Sequence, residues 1–145
     1  CYTLSFLIAH ANQEIRKFNS RYELQQVKHS LGIRVIDHDR ADDIRDTTSL
    51  SGGETFIVSL GLALGLSALS SRNISFENLF IDEGFGTLDP DTLATVIDSL
   101  AMLQSSQGKK VGVISHTDTM SERITTQIRI IKNGNSGSSH IEIYP

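Results

Sequence analysis

The chain has 145 residues, a formal net charge of −4 at pH 7 and one cysteine, Cys1. This length fits one modest domain with its own core, and a lone cysteine excludes both a disulfide scaffold and a cysteine-ligated zinc module. The acidic balance excludes a broad nucleic-acid-binding surface, which needs clustered lysine and arginine side chains to displace counterions.

The start and the apolar content of the chain predict a cytoplasmic fragment without membrane contact. The first residue is not Met and no secretory signal is present, so we expect a segment excised from a longer protein. The longest apolar stretch, Phe56 to Leu69, is interrupted by Ser59 and Ser67 and is shorter than the roughly 20 residues of a membrane helix. We expect a buried helix there instead.

The N-terminal part predicts a helix and a β-hairpin. Between residues 2 and 19, apolar side chains recur at intervals of three and four, which is typical of an amphipathic helix. With fewer than three heptads visible, it is either the foot of a coiled coil or an ordinary surface helix. Tyr22 to Val27 and Ile33 to Ile36 then predict two strands around a turn at Ser30 to Gly32.

An acidic segment separates this hairpin from the next helix. Asp37 to Asp46 contains five aspartates against Arg40 and Arg45, with few apolar residues. This composition predicts an exposed loop. Because its spacing matches no calcium-binding loop, we assign it no chemistry.

The middle of the chain predicts an α/β fold. Thr55 to Ser70 is a helix apolar nearly all round, and Gly61 and Gly65 lie on one of its faces, where they predict the close approach of another backbone. Two short apolar runs, Leu79 to Ile81 and Val111 to Ile114, flank a further predicted helix. This order of strand, helix and strand implies a parallel sheet.

The end of the chain predicts smaller elements. The helix between the two runs begins at Asp89 and continues to about Gln104, with Gly108 after its end. A short helical turn at Thr119 to Ile124 follows. Gln127 to Lys132 and His140 to Tyr144 then predict a terminal hairpin around a turn at residues 133–137.

The first candidate site is Leu50 to Glu54, with the sequence LSGGE, at the start of the apolar helix. Ser51 and Glu54 have the spacing of a capping box, which has a purely structural explanation. The cap does not require Gly52 and Gly53, which weaken the helix but leave bare N–H groups open to an anion. This combination favours a phosphate site.

The second candidate site is the strand end at Asp82 and Glu83. One carboxylate can orient a magnesium ion beside phosphates, and the other can polarise an attacking water as a general base. Two solvated acids at a strand end are the structural alternative. The turn Gly84 to Asp89, which delivers another acid, favours a functional site.

The third candidate is His116, which Ser115 separates from the apolar run Val111 to Ile114. A histidine at the carboxyl edge of a parallel sheet can donate to a phosphate oxygen and hold an attacking water. Alone, it would more often be a structural histidine. The other histidines predict surface positions: His10, His29, His38 and His140.

Together, LSGGE, LFIDEGFGTLD and VGVISH resemble the motifs of ABC-type ATPases, in the same order and spacing. The extended second motif, with GFG before TLD, resembles the SbcC branch of the SMC-like DNA-repair ATPases. The likeness covers about Leu50 to Ile124, and residues 21–37 resemble more weakly the segment that follows the coiled coil. It implies the C-terminal lobe of an ATPase head over residues 21–145, preceded by the end of a coiled coil or a leading helix over residues 1–20.

The resemblance implies a role for each candidate residue. Ser51, Gly52, Gly53 and Glu54 become the signature that reaches the γ-phosphate of ATP on a second head. Asp82 becomes the Walker B acid that holds Mg²⁺ through water, and Glu83 the catalytic glutamate. Asp89 belongs to the D-loop, and His116 is the switch histidine.

One element of such heads is missing. No GxxxxGK[ST] loop occurs in these residues, and the resemblance places this Walker A loop in an N-terminal half beyond a long coiled coil. We therefore expect no ATPase activity from this chain alone. The implied partners are that N-terminal half, a second head in a homodimer, an SbcD-type nuclease and double-stranded DNA at the nucleoid, in the processing of DNA ends and hairpins.

Two other interpretations remain open. Transporter nucleotide-binding domains share these motifs, but the hairpin and the helix at residues 2–37 disfavour that class. A non-hydrolysing SMC-like scaffold would keep the motifs only as folding elements, which the intact Glu83 and His116 argue against.

Overall fold

The computed structural model describes residues 2–70, 78–108, 110–134 and 137–145. The chain forms two compact units, Cys1–Ile114 and Ser115–Pro145. The first unit comprises α1 (Tyr2–Phe18), β1 (Tyr22–Gln26), β2 (Ile33–Asp37), β3 (Asp43–Asp46), α2 (Gly52–Ser70), β4 (Asn78–Asp82), α3 (Pro90–Gln107) and β5 (Lys110–Ile114). The second comprises α4 (Asp118–Arg123), β6 (Gln127–Lys132) and β7 (Ser139–Tyr144).

Helices α1 and α2 pack against each other at backbone distance. Ala11 and Ile15 are fully buried on the apolar face of α1. A Cβ atom added at Gly65 would lie 2.6 Å from the backbone N of Ala11, and one at Gly61 would lie 2.2 Å from Cγ1 of Ile15. The predicted amphipathic helix is confirmed, and so is the predicted close approach of another backbone at Gly65, whereas the nearest atoms at Gly61 belong to the side chain of Ile15. The coiled-coil origin of α1 stays a prediction.

Strands β1, β2 and β3 form an antiparallel sheet in that order. The predicted hairpin is confirmed, and its turn is closed by the N–H of Val27, which donates to the carbonyl of Gly32 at 2.9 Å. The predicted exposure of Asp37 to Asp46 is confirmed for residues 38–44 and 46, but the prediction of a loop is wrong. This segment ends β2, makes a single 3-10 turn and then pairs as β3 with β2, and Asp37 is fully buried.

Arginine side chains make the burial of Asp37 possible. Nε and Nη2 of Arg21 donate to the two carboxylate oxygens of Asp37, both at 2.7 Å. Arg40 and Arg45 lie 3.7 Å from Oδ2 of the same carboxylate. The hydrogen bonds from Arg21 hold the pKa of Asp37 below its usual range. The composition of the segment did not reveal this because Arg21 lies 16 residues upstream.

Helix α2 is less enclosed than the sequence predicts. Ile57, Leu60 and Leu64 are buried, but Leu66 is 53% exposed. Over Gly52–Leu69 this helix is long enough and apolar enough to span a membrane. The prediction that the apolar stretch is too short for that counted only Phe56 to Leu69. Helices in protein cores have the same length and composition, and 33% of Gly52–Leu69 is buried within the chain.

The strand, helix and strand order gives the predicted parallel pair. Strand β4 runs parallel to β5, and α3 connects them. The carboxylate of Asp89 caps α3 by accepting from the N–H of Thr92 at 2.9 Å, and Pro90 occupies the first turn. Gly108 ends the helix in a left-handed conformation, with φ of 64°. The α/β character of the first unit is therefore confirmed.

The second unit contains the predicted helical turn and the predicted hairpin. Strands β6 and β7 are antiparallel, with Ile128 opposite Ile143 and Ile130 opposite Ile141. Part of the predicted turn at 133–137 falls at residues 135 and 136, outside the described residues.

We expect Gly65→Ala to destabilise the protein by about 1–3 kcal/mol, because the added methyl group would meet the backbone of Ala11 rather than a movable side chain. Urea unfolding of the purified protein measures this loss. Ser59→Ala, at an exposed position of the same helix, is the control and should change stability by less than about 0.5 kcal/mol. Equal stability of the two variants would contradict the backbone contact.

Candidate functional site

The start of α2 has the predicted capping box. The N–H of Glu54 donates to Oγ of Ser51 at 3.3 Å, and the N–H of Ser51 donates to Oε2 of Glu54 at 2.7 Å. These two bonds satisfy the amides at either end of the motif. The amides of Gly52 and Gly53 between them belong to the first helical turn, where no intrahelical acceptor is within reach.

The carboxylate of Glu54 also receives two side chains from the β1–β3 sheet. Nη1 of Arg45 donates to it at 2.9 Å, and the hydroxyl of Tyr22 donates to it at 3.1 Å. Partial burial acts to raise the pKa of Glu54, but the hydrogen bonds from Arg45, Ser51 and Tyr22 outweigh it and hold this pKa at about 2. Burial and the neighbouring carboxylate raise the pKa of Tyr22 to about 12. Glu54 is therefore ionised at neutral pH.

Close packing gives the two glycines of the motif a structural role. A Cβ atom at Gly53 would lie 2.8 Å from the carbonyl oxygen of Thr87, and one at Gly52 would lie 3.3 Å from Cγ2 of the same threonine. Thr87 belongs to the turn that follows β4. The start of α2 and this turn are therefore in direct contact, which the sequence motifs alone did not indicate.

The two acids at the end of β4 lie on a sharply bent backbone. Asp82 and Glu83 are both exposed. Glu83 has a φ of 60°, a backbone angle that residues other than glycine seldom adopt. Its N–H donates to the carbonyl of Ile114 at 3.0 Å. Gly84 follows with a φ of 95°, and a Cβ atom there would lie 2.3 Å from the ring of Phe56. The turn is thus held between β5 and α2.

An aromatic pair anchors this turn to α2. Phe85 is 1% exposed, and its ring centroid lies 4.8 Å from that of Phe56 in an edge-to-face arrangement. Thr87 closes the turn by donating its hydroxyl to the carbonyl of Gly84 at 2.6 Å. The position of Glu83 is therefore fixed by packing on both sides of it.

Two neighbouring grooves divide the predicted site residues of the first unit. A polar groove of about 630 Å³ is lined by Ser51, Gly53, Glu54 and Asp89 among others. A more apolar groove of about 430 Å³ is lined by Gly52, Asp82 and Glu83 among others. Thr87 lines both grooves. The structure thus gathers all seven residues around one turn.

Asp89 caps a helix, whereas His116 is exposed and lies in the second unit. The hydrogen bonds from Thr92 lower the pKa of Asp89, whose carboxylate is engaged as the cap of α3. His116 is exposed and lies two residues beyond β5, in the second unit. Within the described ranges, no group of three or more acidic, histidine or cysteine side chains is placed to hold a metal ion by itself. A magnesium ion at Asp82 would therefore need ligands from phosphate and water, which is the usual habit of Mg²⁺.

Sequence reasoning missed three residues that shape the site: Arg45, Tyr22 and Thr87. Tyr22 lies 32 residues from Glu54 and Arg45 lies 9 residues from it, so neither belongs to the motif that it contacts.

The low pKa of Glu54 makes part of the stability depend on pH. The pKa falls from the ordinary 4.5 to about 2 on folding, so its contribution is complete above 4.5 and is lost as the pH falls from 4.5 toward 2. We expect Glu54→Gln to lose less free energy of unfolding across this window than the wild type, measured by urea unfolding at each pH. Glu122→Gln, at an exposed position of α4, is the control and should keep the wild-type dependence of stability on pH. If stability depended on pH in the same way in all three proteins, the contacts of Glu54 would be contradicted.

Comparison with known proteins gives a consistent family. The sequence matches the family described as SbcC/RAD50-like, Walker B motif, over residues 23–102. The SbcC subunit of the nuclease SbcCD from Pseudomonas aeruginosa is 49% identical over 95% of this chain and 11% of its own length. The corresponding SbcCD protein of Rhodobacter capsulatus is 48% identical over 94% of this chain and 11% of its own length. The chain thus spans about a tenth of the length of these relatives.

Solved structures show the same fold. A structure from work on ATP-driven dimerization and DNA-stimulated activation of SMC ATPases superposes with a TM-score of 0.73 at 15% identity, covering 99% of this chain and 86% of that one. The Smc head domain of Pyrococcus yayanosii, with a coiled coil and joint, gives 0.73 at 17% identity, covering 98% and 27%. The α/β fold expected from the motifs is therefore confirmed, and it is the fold of SMC head domains. By its sequence, the chain belongs to the SbcC/RAD50-like family.

Proposed function

We propose that this chain is the C-terminal half of the ATPase head of an SbcC-type nuclease subunit, which binds ATP between two heads. The observation that carries the proposal is the contact between the start of α2 and the turn after β4. It places the amides of Gly52 and Gly53 beside the segment that bears Asp82 and Glu83. Amides at a helix N-terminus are suited to bind phosphate, and acids at a strand end are suited to bind a metal and activate water.

Each site residue then has a defined task. Ser51, Gly52 and Gly53 offer hydroxyl and amide donors toward the γ-phosphate held by a second head. Asp82 holds the water shell of Mg²⁺, and Glu83 accepts a proton from the attacking water as a general base. Asp89 fixes the D-loop by capping α3, and His116 donates to the phosphate. Bound Mg²⁺ would neutralise the charge that develops on the transferred phosphoryl group.

The remaining parts of the active unit come from other chains or segments. We propose that the N-terminal half of the same head supplies the Walker A loop, and that a second head completes the site. An SbcD-type nuclease and double-stranded DNA would then engage the full complex in the cytoplasm, at the nucleoid, to process DNA ends and hairpins. On this proposal the chain alone hydrolyses no ATP, because the loop that holds the β- and γ-phosphates lies outside it.

Glu83→Gln in the complete protein tests the catalytic assignment. We expect ATP binding and ATP-dependent head association to persist, while hydrolysis falls by about a hundredfold or more because the general base is lost. Nucleotide titration and phosphate release measure the two effects. The isolated chain, assayed in parallel, should release no phosphate. Unchanged hydrolysis by Glu83→Gln would instead favour a scaffold whose motifs serve only folding.

The backbone of Glu83 predicts an unusual ranking of stability. Glycine normally destabilises relative to alanine, but at a φ of 60° it is the better residue. We expect Glu83→Gly to be more stable than Glu83→Ala by about 1 kcal/mol, since both remove the side chain and differ only in backbone strain. Urea unfolding of the matched pair measures the difference. The usual order, with alanine more stable, would contradict the left-handed turn.

A further inference from the structure

Arg45 belongs to none of the motifs, but its side chain contacts the start of α2 and the segment before it. Its Nη1 donates to Oε1 of Glu54 at 2.9 Å, and its Nη2 lies 3.3 Å from Oε2 of the same carboxylate. Nη2 also donates to the carbonyl of Ser49 at 2.6 Å, within the segment that leads into the motif. The side chain is 15% exposed. One guanidinium therefore fixes both the carboxylate of the motif and the backbone just before it.

The carboxylate of Glu54 poses an electrostatic problem for a phosphate site. It lies in the first turn of α2, where the helix dipole and the free amides favour a negative charge. A carboxylate in that position occupies the favourable field itself and repels a second anion nearby. Glu54 is ionised at every physiological pH, so the repulsion is not removed by protonation.

The charge of Arg45 is available to offset this repulsion. The other anion in its reach, Asp37, lies 3.7 Å away and already holds two hydrogen bonds from Arg21, both at 2.7 Å. Arg21 therefore compensates Asp37, and the shortest contacts of Arg45 to a carboxylate are those to Glu54. The planar fork of arginine suits this bidentate contact in a way that lysine does not.

We propose that Arg45 is a positioning residue for the phosphate site at the start of α2: it neutralises the Glu54 carboxylate and holds the Ser49 to Ser51 segment so that the amides of Gly52 and Gly53 can bind an anion. The inference rests on the proposed function, because it concerns the same phosphate. It adds that Arg45, which lies on β3 and outside the motif Leu50 to Glu54, sets the affinity of the site.

The test uses the complete protein with its nuclease partner and measures the ATP concentration that gives half-maximal head association by light scattering. We expect Arg45→Met to raise this concentration about tenfold, and Arg45→Lys to raise it less because lysine restores the charge but not the fork. Adding Glu54→Gln to Arg45→Met should bring the value back toward the wild type, since the uncompensated charge is gone. A residue that served only folding would show no such rescue in protein that is fully folded by circular dichroism.

Arg34→Met is the matched control. Arg34 lies on the neighbouring strand and pairs with Asp46 at 3.1 Å, with both side chains largely exposed, so its loss should leave the ATP dependence unchanged. If the wild type associates with ATP and folded Arg45→Met does so at the same concentration, or if Glu54→Gln fails to rescue it, this inference is wrong and the proposed function stands. If the wild type shows no ATP-dependent association, the proposed function fails and the inference fails with it.

Discussion

The backbone contact between α1 and α2 determines where β1 lies relative to the start of α2. Since Gly65 meets the backbone of Ala11, the two helices approach more closely than side chains would allow. The amide of the buried Asn12 then binds both the N–H and the carbonyl of Leu24, at 2.8 and 2.9 Å, which fixes β1 beside α1. In this way the helix pair delivers Tyr22 to the start of α2, where its hydroxyl meets Glu54.

The features that the sequence predicted correctly are local in the chain. The capping box was predicted from two residues three positions apart, and the parallel strand pair from the order of strand, helix and strand. The close packing at the glycines of α2 was predicted from their position on one face of the helix. The missed features depend on distant partners. The run of aspartates looked solvated because each was judged against its neighbours, whereas Asp37 is buried beside Arg21, which directly precedes β1.

The site itself was predicted as three separate motifs, and the structure adds how two of them are joined. The contacts of Phe56 with Phe85 and Gly84, and of Gly52 and Gly53 with Thr87, make the start of α2 and the turn after β4 one packed surface. No pattern of spacing encodes this, because the partners are ordinary side chains and a carbonyl oxygen.

The carbonyl of Thr87 beneath Gly53 affects how genetic data on this motif can be interpreted. Alanine at position 53 would collide with that oxygen at 2.8 Å, so a loss of activity there reports a displaced turn as readily as a lost nucleotide contact. Ser51 carries no such ambiguity, because its side chain is exposed and its capping role can be retained by threonine, asparagine or aspartate. Replacing Ser51 by threonine, asparagine or aspartate, rather than replacing the glycines, therefore separates an effect on folding from an effect on ligand binding.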